Sequence, residues 1–408
     1  MNIESVRAQF PQLQEKVYGK NLVYLDNAAT SLRPLSVVRK WEVISLRHNA
    51  NLHRAVHKMA VDATGEFEAA RSAVAAFIGA DNPSEIIFSS GTTQSINLLA
   101  GSLENSGIFA EGDEIIIAES EHHSDLVPWQ MISQRKNLKI RILPVDDRGE
   151  IRLDALQKLL NPRTKLCCVA QVSNVLGIIN PVAEIARLCH ANGTLVLVDG
   201  AQGIAHLETD VRELDCDFYA FSGHKMFATP GTGVLYGKRA LLETLPPYMG
   251  GGEMIDSVSW EKTTFAPVPR RFEAGTQNIS GVPALVPAIE LCKSLKGREI
   301  EQETTRVKSF VLDALASIPG VILYGNPEDR TKKIPLFSIS VEGAHHEDLA
   351  LILDKMGIAT RSGQMCAEPL MARFGVTGML RASFAPYNTM AEAEYFVECL
   401  QKAIKMLR

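Results

Sequence analysis

Three things are missing or scarce in this chain, and each removes a class of protein. No two cysteines stand in a CxxC pair, and the seven present follow no regular spacing. That argues against a disulfide framework or a zinc-finger set, and an odd number of thiols in a long chain favours a reducing compartment, the cytoplasm. No apolar run approaches the roughly 20 residues that cross a bilayer. The opening MNIESVRAQFPQL has no apolar stretch of the kind a secretory signal carries. Positive charge is not in excess: the net charge is −5 and aromatics make up 6%. No basic field or basic–aromatic stripe is there to recruit nucleic acid.

What is present reads as an ordinary globular chain. Its 408 residues are 46% hydrophobic and 22% charged, and domains of roughly 100–200 residues give two or three of them. Short apolar runs resemble strands: EIIFS (85–89), DEIIIA (113–118), LKIRILPV (138–145), KLCCVAQV (165–172), TLVLVD (194–199), FYAFS (218–222) and GVLYG (233–237). Helical patterns lie between them, such as 66–79 and 182–193, the latter ending in Asn-Gly. Nearly all-apolar strands alternating with helices predict a three-layer α/β domain with a mainly parallel sheet. After about Pro283 the texture changes. One long helical region runs to about Ile318, PLFSISVEG (335–343) alternates like a half-exposed strand, and two amphipathic helices follow from 346 and near the end. This second part reads as a smaller α+β domain.

Several residues stand where chemistry is done. Asp199 ends the strand LVLVD, and ligands in open α/β sheets bind beyond the carboxyl ends of strands. It caps the next turn or faces a ring nitrogen. A carboxylate about 4 Å from a pyridinium is worth about 4 kcal/mol at an effective dielectric of 20, or about three pKa units. The stretch SSGTTQSINLLA (89–100) opens a helix with small hydroxyl residues, a seat for an anion or an ordinary cap. Lys225, in the turn SGHK, lies between two apolar runs; it snorkels to water or, desolvated, binds an aldehyde. An aldehyde-binding lysine, an acid for a ring nitrogen and a phosphate seat together describe a pyridoxal-phosphate site, with Ser222 and His224 beside the lysine. His122 and His123 follow a strand, where an imidazole can stack on a pyridine ring and move protons. His53 and His57 are four apart, as a metal pair on a helix is, but HExxH is incomplete and no metal is expected. His345 and His346 read as a solvated helix start. Six cysteines lie in or beside strands and helices and read as packing. Cys366 lies in a stretch that Gly363, Gln364, Glu368 and Pro369 mark as a loop. Arg381, in LRASFAPYN, is a carboxylate clamp or an interdomain ion pair.

The stretches YLDNAAT, NLHRAVH, GTTQSIN, EHHSDLVPWQ, VSNVLG, VDGAQG, DCDFYAFSGHK, RRFEAGTQN, RSGQMCAEPLM and LRASFAPYNT run almost end to end. Jointly they resemble the group II cysteine desulfurases of the SUF-system type (SufS/CsdA-like), class V aminotransferases with the aspartate-aminotransferase-like fold (fold type I). The resemblance implies a large pyridoxal-phosphate-binding domain at 20–290 and a small α+β domain from 1–19 and 291–408 that carries the cysteine loop. It implies that Lys225 binds the coenzyme covalently, Asp199 pairs with the ring nitrogen and Gln202 bonds the ring hydroxyl. His123 would stack on the ring and shuttle protons, and Thr93, Ser222 and His224 would hold the phosphate. Thr276 would reach the phosphate of a neighbouring subunit, which implies a homodimer. Asn174 and Arg381 would hold the carboxylate of L-cysteine, Arg361 would support the loop, and Cys366 would accept the sulfur. A SufE- or SufU-type protein would then take it for iron–sulfur cluster assembly. Gln364 and Met365 stand where many members have two histidines. Selenocysteine lyase, another enzyme of this scaffold, or a non-catalytic relay component are the competing readings.

Overall fold

Seven short strands rich in Ile, Val and Phe form one sheet in the computed structural model, which describes residues 2–408. They are β1 (Ile86–Ser89), β2 (Glu114–Ala118), β3 (Lys139–Leu143), β4 (Thr164–Ala170), β5 (Leu195–Asp199), β6 (Phe218–Ser222) and β7 (Gly233–Gly237), ordered β1-β7-β6-β5-β4-β2-β3. All pairings are parallel except those of β7, which runs antiparallel to both neighbours. The apolar runs are continuous because both faces are buried. Cys167, Val169, Val196 and Val198 face one cluster; Leu166, Cys168 and Leu197 face the other. That alternation is the period of two a strand imposes. The helices that cover the sheet include α1 (Leu35–Arg47), α2 (Lys58–Phe77), α3 (Thr92–Asn105), α4 (Val127–Lys136) and α5 (Val182–Ala191). The layered α/β architecture expected from the sequence is present.

The second part begins with α6 (Leu285–Leu295) and α7 (Arg298–Ser317). The single long helix expected up to Ile318 is in fact these two, interrupted where Gly297 takes an extended conformation and starts α7. A four-stranded antiparallel sheet follows, with β8 (Val321–Tyr324), β9 (Leu336–Val341), β10 (Arg361–Gly363) and β11 (Met379–Ser383) in the order β8-β9-β11-β10. The helices α8 (His346–Lys355), α9 (Glu368–Arg373) and α10 (Met390–Leu407) complete it. The strand β9 is buried on both faces apart from Ser340, not half-exposed. Its hydroxyls mislead the pattern, because Ser338 is buried and donates to the Val175 carbonyl at 2.5 Å. The N-terminal arm serves both parts: Val6, Phe10 and Leu13 join the large cluster, whereas Val23 and Leu25 join the second.

Candidate active site

The carboxyl ends of β4, β5 and β6 and the start of α3 open onto one cavity of about 250 Å³. Asp199, Ser222, Lys225, Thr92, Thr93 and Gln202 line it, together with His224, Asn174, Arg361, Cys366 and Arg381. Lys225 sits in the turn after β6, half-buried, and makes no hydrogen bond or ion pair with any described residue. Burial lowers the pKa of its ammonium, and Arg381 adds to this, while Asp199 and Cys366 oppose it. Burial raises the pKa of Asp199, opposed by Lys225 and by the Ala201 N–H that donates to its Oδ1 at 2.8 Å.

The anion seat is built by a close approach of two backbones. A Cβ at Gly233 would lie 2.3 Å from the Gly91 Cα, so β7 can pass under the start of α3 only as glycine. This brings Ser222 against the helix, where its Oγ accepts the Thr92 N–H at 2.8 Å and bonds Thr92 Oγ1 at 2.7 Å. Thr93 Oγ1 meets Ser124 Oγ at 2.6 Å. His224 bonds Thr30 Oγ1 through Nδ1, and burial, then Lys225 and Arg33, lowers its pKa to about 4. Gln202 donates Nε2 to the Ala28 carbonyl at 2.7 Å, which leaves its Oε1 as an acceptor.

Of the two readings the sequence left open for Arg381, the structure shows the ion pair. Its Nη2 pairs with Asp26 at 3.2 Å and its Nη1 donates to the Asn174 carbonyl at 2.9 Å, so it bridges β11 to the loop after β4. Its Nε is buried without a partner beside the cavity. Asn174 donates Nδ2 to the Met365 carbonyl at 2.8 Å. Arg361 is exposed and 4.0 Å from Asp26. Cys366 is the one exposed cysteine; the other six are buried. Both Met365 and Cys366 adopt left-handed backbone, at φ 54° and 55°, which side chains seldom take without support.

The structure places His123, His53, His57 and Thr276 outside the lining of this cavity. His123 does not line the cavity; His122 does. Neighbouring side chains diverge here because His122 is extended and His123 begins a 3₁₀ turn, so the first imidazole faces Lys225 and the second faces the cysteine loop. Burial, then Lys225, lowers the His122 pKa to about 4. His53 and His57 do not share a helix face: His53 has φ 65° in a loop and His57 is the N-cap of α2. Thr276 lies in a second cavity with Ser90, Gln94, Tyr248 and Asn278. Sequence reasoning missed Asp26, Ser124 and the buried acids Glu121 and Asp125. The charged residues inside YLDNAAT and EHHSDLVPW were their only signal.

The donor set fits pyridoxal phosphate. An unpaired amine faces the cavity, a buried carboxylate faces the same space, and a helix start with hydroxyls and the imidazole of His224 provides for a phosphate. The comparisons agree. A "probable cysteine desulfurase" of Vibrio cholerae is 43% identical over 407 residues, covering all of both chains. A cysteine desulfurase of Dickeya dadantii is 44% identical, over 99% of this chain and 97% of its own. The crystal structure of the cysteine desulfurase CsdA (S-sulfonic acid) from Escherichia coli superposes with a TM-score of 0.90 at 40% identity, covering all of both chains. The apo structure of the cysteine desulfurase from Thermococcus onnurineus NA1 gives 0.93 at 38% identity, over 99% of this chain and 98% of its own. The pattern of the class-V aminotransferases matches residues 23–396, and the chain belongs to that family.

Proposed function

We propose that the protein is a pyridoxal-phosphate-dependent cysteine desulfurase that converts L-cysteine to L-alanine and leaves the sulfur as a persulfide on Cys366. The observation that carries this reading is one cavity lined at once by the unpaired amine of Lys225, the buried carboxylate of Asp199 and the exposed thiol of Cys366. When bound, the coenzyme supplies a protonated pyridine ring that stores the electron pair released at the amino acid's α-carbon. Lys225 would hold the coenzyme aldehyde and would move the α-proton, a task for an amine whose charge burial discourages. Asp199 keeps the proton on the ring nitrogen, and Gln202 accepts from the ring hydroxyl. Thr93, Ser222 and His224 hold the phosphate at the start of α3. His122 takes the stacking place first assigned to His123.

Arg381 and Asn174 orient the substrate carboxylate, and Arg361 flanks the loop. The Cys366 thiolate attacks the substrate sulfur: the S–S bond forms as the C–S bond breaks, and a proton on the freed β-carbon completes alanine. L-cysteine and one protein thiol thus give L-alanine and one protein persulfide. An exposed loop position suits attack inside and delivery outside. The finer reading follows the resemblance: a cytoplasmic homodimer in which Thr276 reaches the neighbouring subunit's phosphate, and a SufE- or SufU-type acceptor that takes the sulfur for iron–sulfur assembly. In it, residues 20–290 bind the coenzyme, and 1–19 with 291–408 carry the cysteine loop. No helix among the described residues is long and apolar enough to cross a membrane. The test is incubation of the coenzyme-loaded protein with L-cysteine, following alanine and mapping the extra sulfur by peptide mass. Alanine without sulfur on Cys366 overturns the assignment.

A further inference from the structure

His123 leaves the cavity but does not idle at the surface. Its backbone N–H donates to the Cys366 carbonyl at 2.8 Å. Its Nε2 lies 3.3 Å from the backbone N–H of Glu368 and 3.1 Å from the Glu368 carboxylate. Glu368 is the first residue of α9, so its N–H is one of the donors a helix start leaves without an intrahelical partner. The side chain of the preceding residue, Ala367, offers no cap. The following turn is fixed, since Leu370 and Met371 are buried in the large cluster. Between the anchor of Met365 on Asn174 and that buried turn, Cys366 is held in left-handed backbone with its thiol exposed. His123 is the residue that grips this interval, from below at Cys366 and beyond it at Glu368.

One nitrogen cannot serve both of its neighbours at once. Neutral Nε2 accepts the Glu368 N–H; protonated Nε2 donates to the Glu368 carboxylate. The carboxylate contact is between groups exposed at 33% and 55% of their side-chain surface, a setting in which ion pairs contribute little. The capping contact is the one with a structural job.

We propose that His123 is a positioning residue for Cys366: its Nε2 caps the helix that begins at Glu368 and its backbone N–H holds the Cys366 carbonyl, so that the thiol is presented to the cavity. The functional half of this rests on Cys366 being the sulfur acceptor. Three variants separate the contacts. His123→Ala removes the cap, His123→Gln returns an acceptor at about the reach of Nε2, and Glu368→Gln removes the carboxylate while keeping the N–H.

The first readout is amide hydrogen exchange of the coenzyme-free protein over residues 364–370. His123→Ala speeds exchange there by about fivefold, the factor lost with a typical cap, while Glu368→Gln and His123→Gln keep the wild-type rate. The second is alanine formation by the loaded protein. His123→Ala lowers kcat without raising KM for L-cysteine, and His123→Gln restores it. Unchanged exchange in His123→Ala overturns the proposal. So does a His123→Gln variant as impaired as His123→Ala, which would assign the imidazole to proton transfer, or faster exchange with no loss of kcat. If the wild-type protein makes no alanine, the desulfurase reading fails by itself, and the exchange result still decides whether His123 holds the loop.

Discussion

Glu121 and Asp125 face each other behind the cavity with one unpartnered oxygen apiece. Glu121 Oε1 accepts the Ala170 N–H at 2.8 Å and Asp125 Oδ1 accepts the Trp129 Nε1–H at 2.9 Å. Glu121 Oε2 and Asp125 Oδ2 are buried and have no donor. A proton on one of the two carboxyls would supply the missing donor, in keeping with the upward shift of both acids. Burial is the main cause holding both acids well above the usual carboxylate range, reinforced by Asp199 and, for Glu121, by the charge of Asp125. Cys168 also faces the pair, and burial raises its thiol as well.

The pair makes folding take up a proton. A raised folded-state pKa means that the native chain binds more protons than the unfolded one. Stability is therefore greatest below the unfolded carboxylate range and falls as pH rises toward the folded values, by about 1.4 kcal/mol per pH unit for one proton. In Asp125→Asn the amide donates to Glu121 Oε2 without a titrating proton and its oxygen still accepts from Trp129. The variant should lose about one proton's worth of this slope in the range just above the unfolded carboxylate values. Denaturant unfolding of the coenzyme-free protein across that range measures it, and a slope equal to wild type excludes a shared proton.

Cys366→Ser should keep the fold and the coenzyme's colour while alanine formation falls by more than about a thousandfold, as losing a nucleophile does. No peptide should then carry extra sulfur. The other six cysteines are buried and cannot substitute. Undiminished turnover in this variant removes Cys366 from the reaction.

Lys225→Ala should leave a folded protein that binds the coenzyme only reversibly. Borohydride treatment followed by peptide mass should fix the coenzyme on the Lys225 peptide of the wild type and on no peptide of the variant. A fixed adduct elsewhere in the wild type would reassign the aldehyde-binding amine.

Much of this was legible because short motifs carry both fold and chemistry. Asp199 ends an all-apolar run, so the sheet's buried faces and the ligand end of a strand are announced together. Lys225 and Ser222 share one turn and travel as a unit. What stayed hidden depended on direction. The pair His122–His123 reads the same in either order, and only the change from extended to 3₁₀ backbone aims one ring inward. His53 and His57 have helical spacing without a helix, because spacing says nothing about where the N-cap falls. Ser338 suggested a solvent face, yet a carbonyl of the other sheet's loop takes its hydroxyl. The burial of Glu121 and Asp125 has no mark in their polar stretch, because it depends on contacts with β4 and α4 that are distant in sequence or set by the turn between them.

His122 and His224 should be silent in a proton titration at neutral pH. Burial comes first and Lys225 second in lowering both to about 4, so each is neutral over most of the range in which a free imidazole changes charge. In the coenzyme-free protein their ring resonances, assigned by His122→Gln and His224→Gln, should not move between about pH 6 and 8. A shift centred near neutrality would mean that water reaches these rings and, for His224, that the phosphate seat holds a charged imidazole instead.

Arg381 joins β11 to Asp26 and to the loop after β4, and the proposed reaction also gives it the substrate carboxylate, so a substitution has to separate the roles. Truncation to alanine strands Asp26, whose pKa burial already raises, and removing one partner of a buried pair costs about 3–5 kcal/mol. Arg381→Lys keeps the charge beside Asp26 but loses the planar fork, including the unpartnered Nε. If that fork grips the substrate carboxylate, KM for L-cysteine should rise by about tenfold or more while kcat changes by only a few-fold. Cysteamine, which lacks the carboxylate, should be processed equally by wild type and variant. A variant that loses kcat for both compounds alike would instead assign Arg381 to holding the two sheets together.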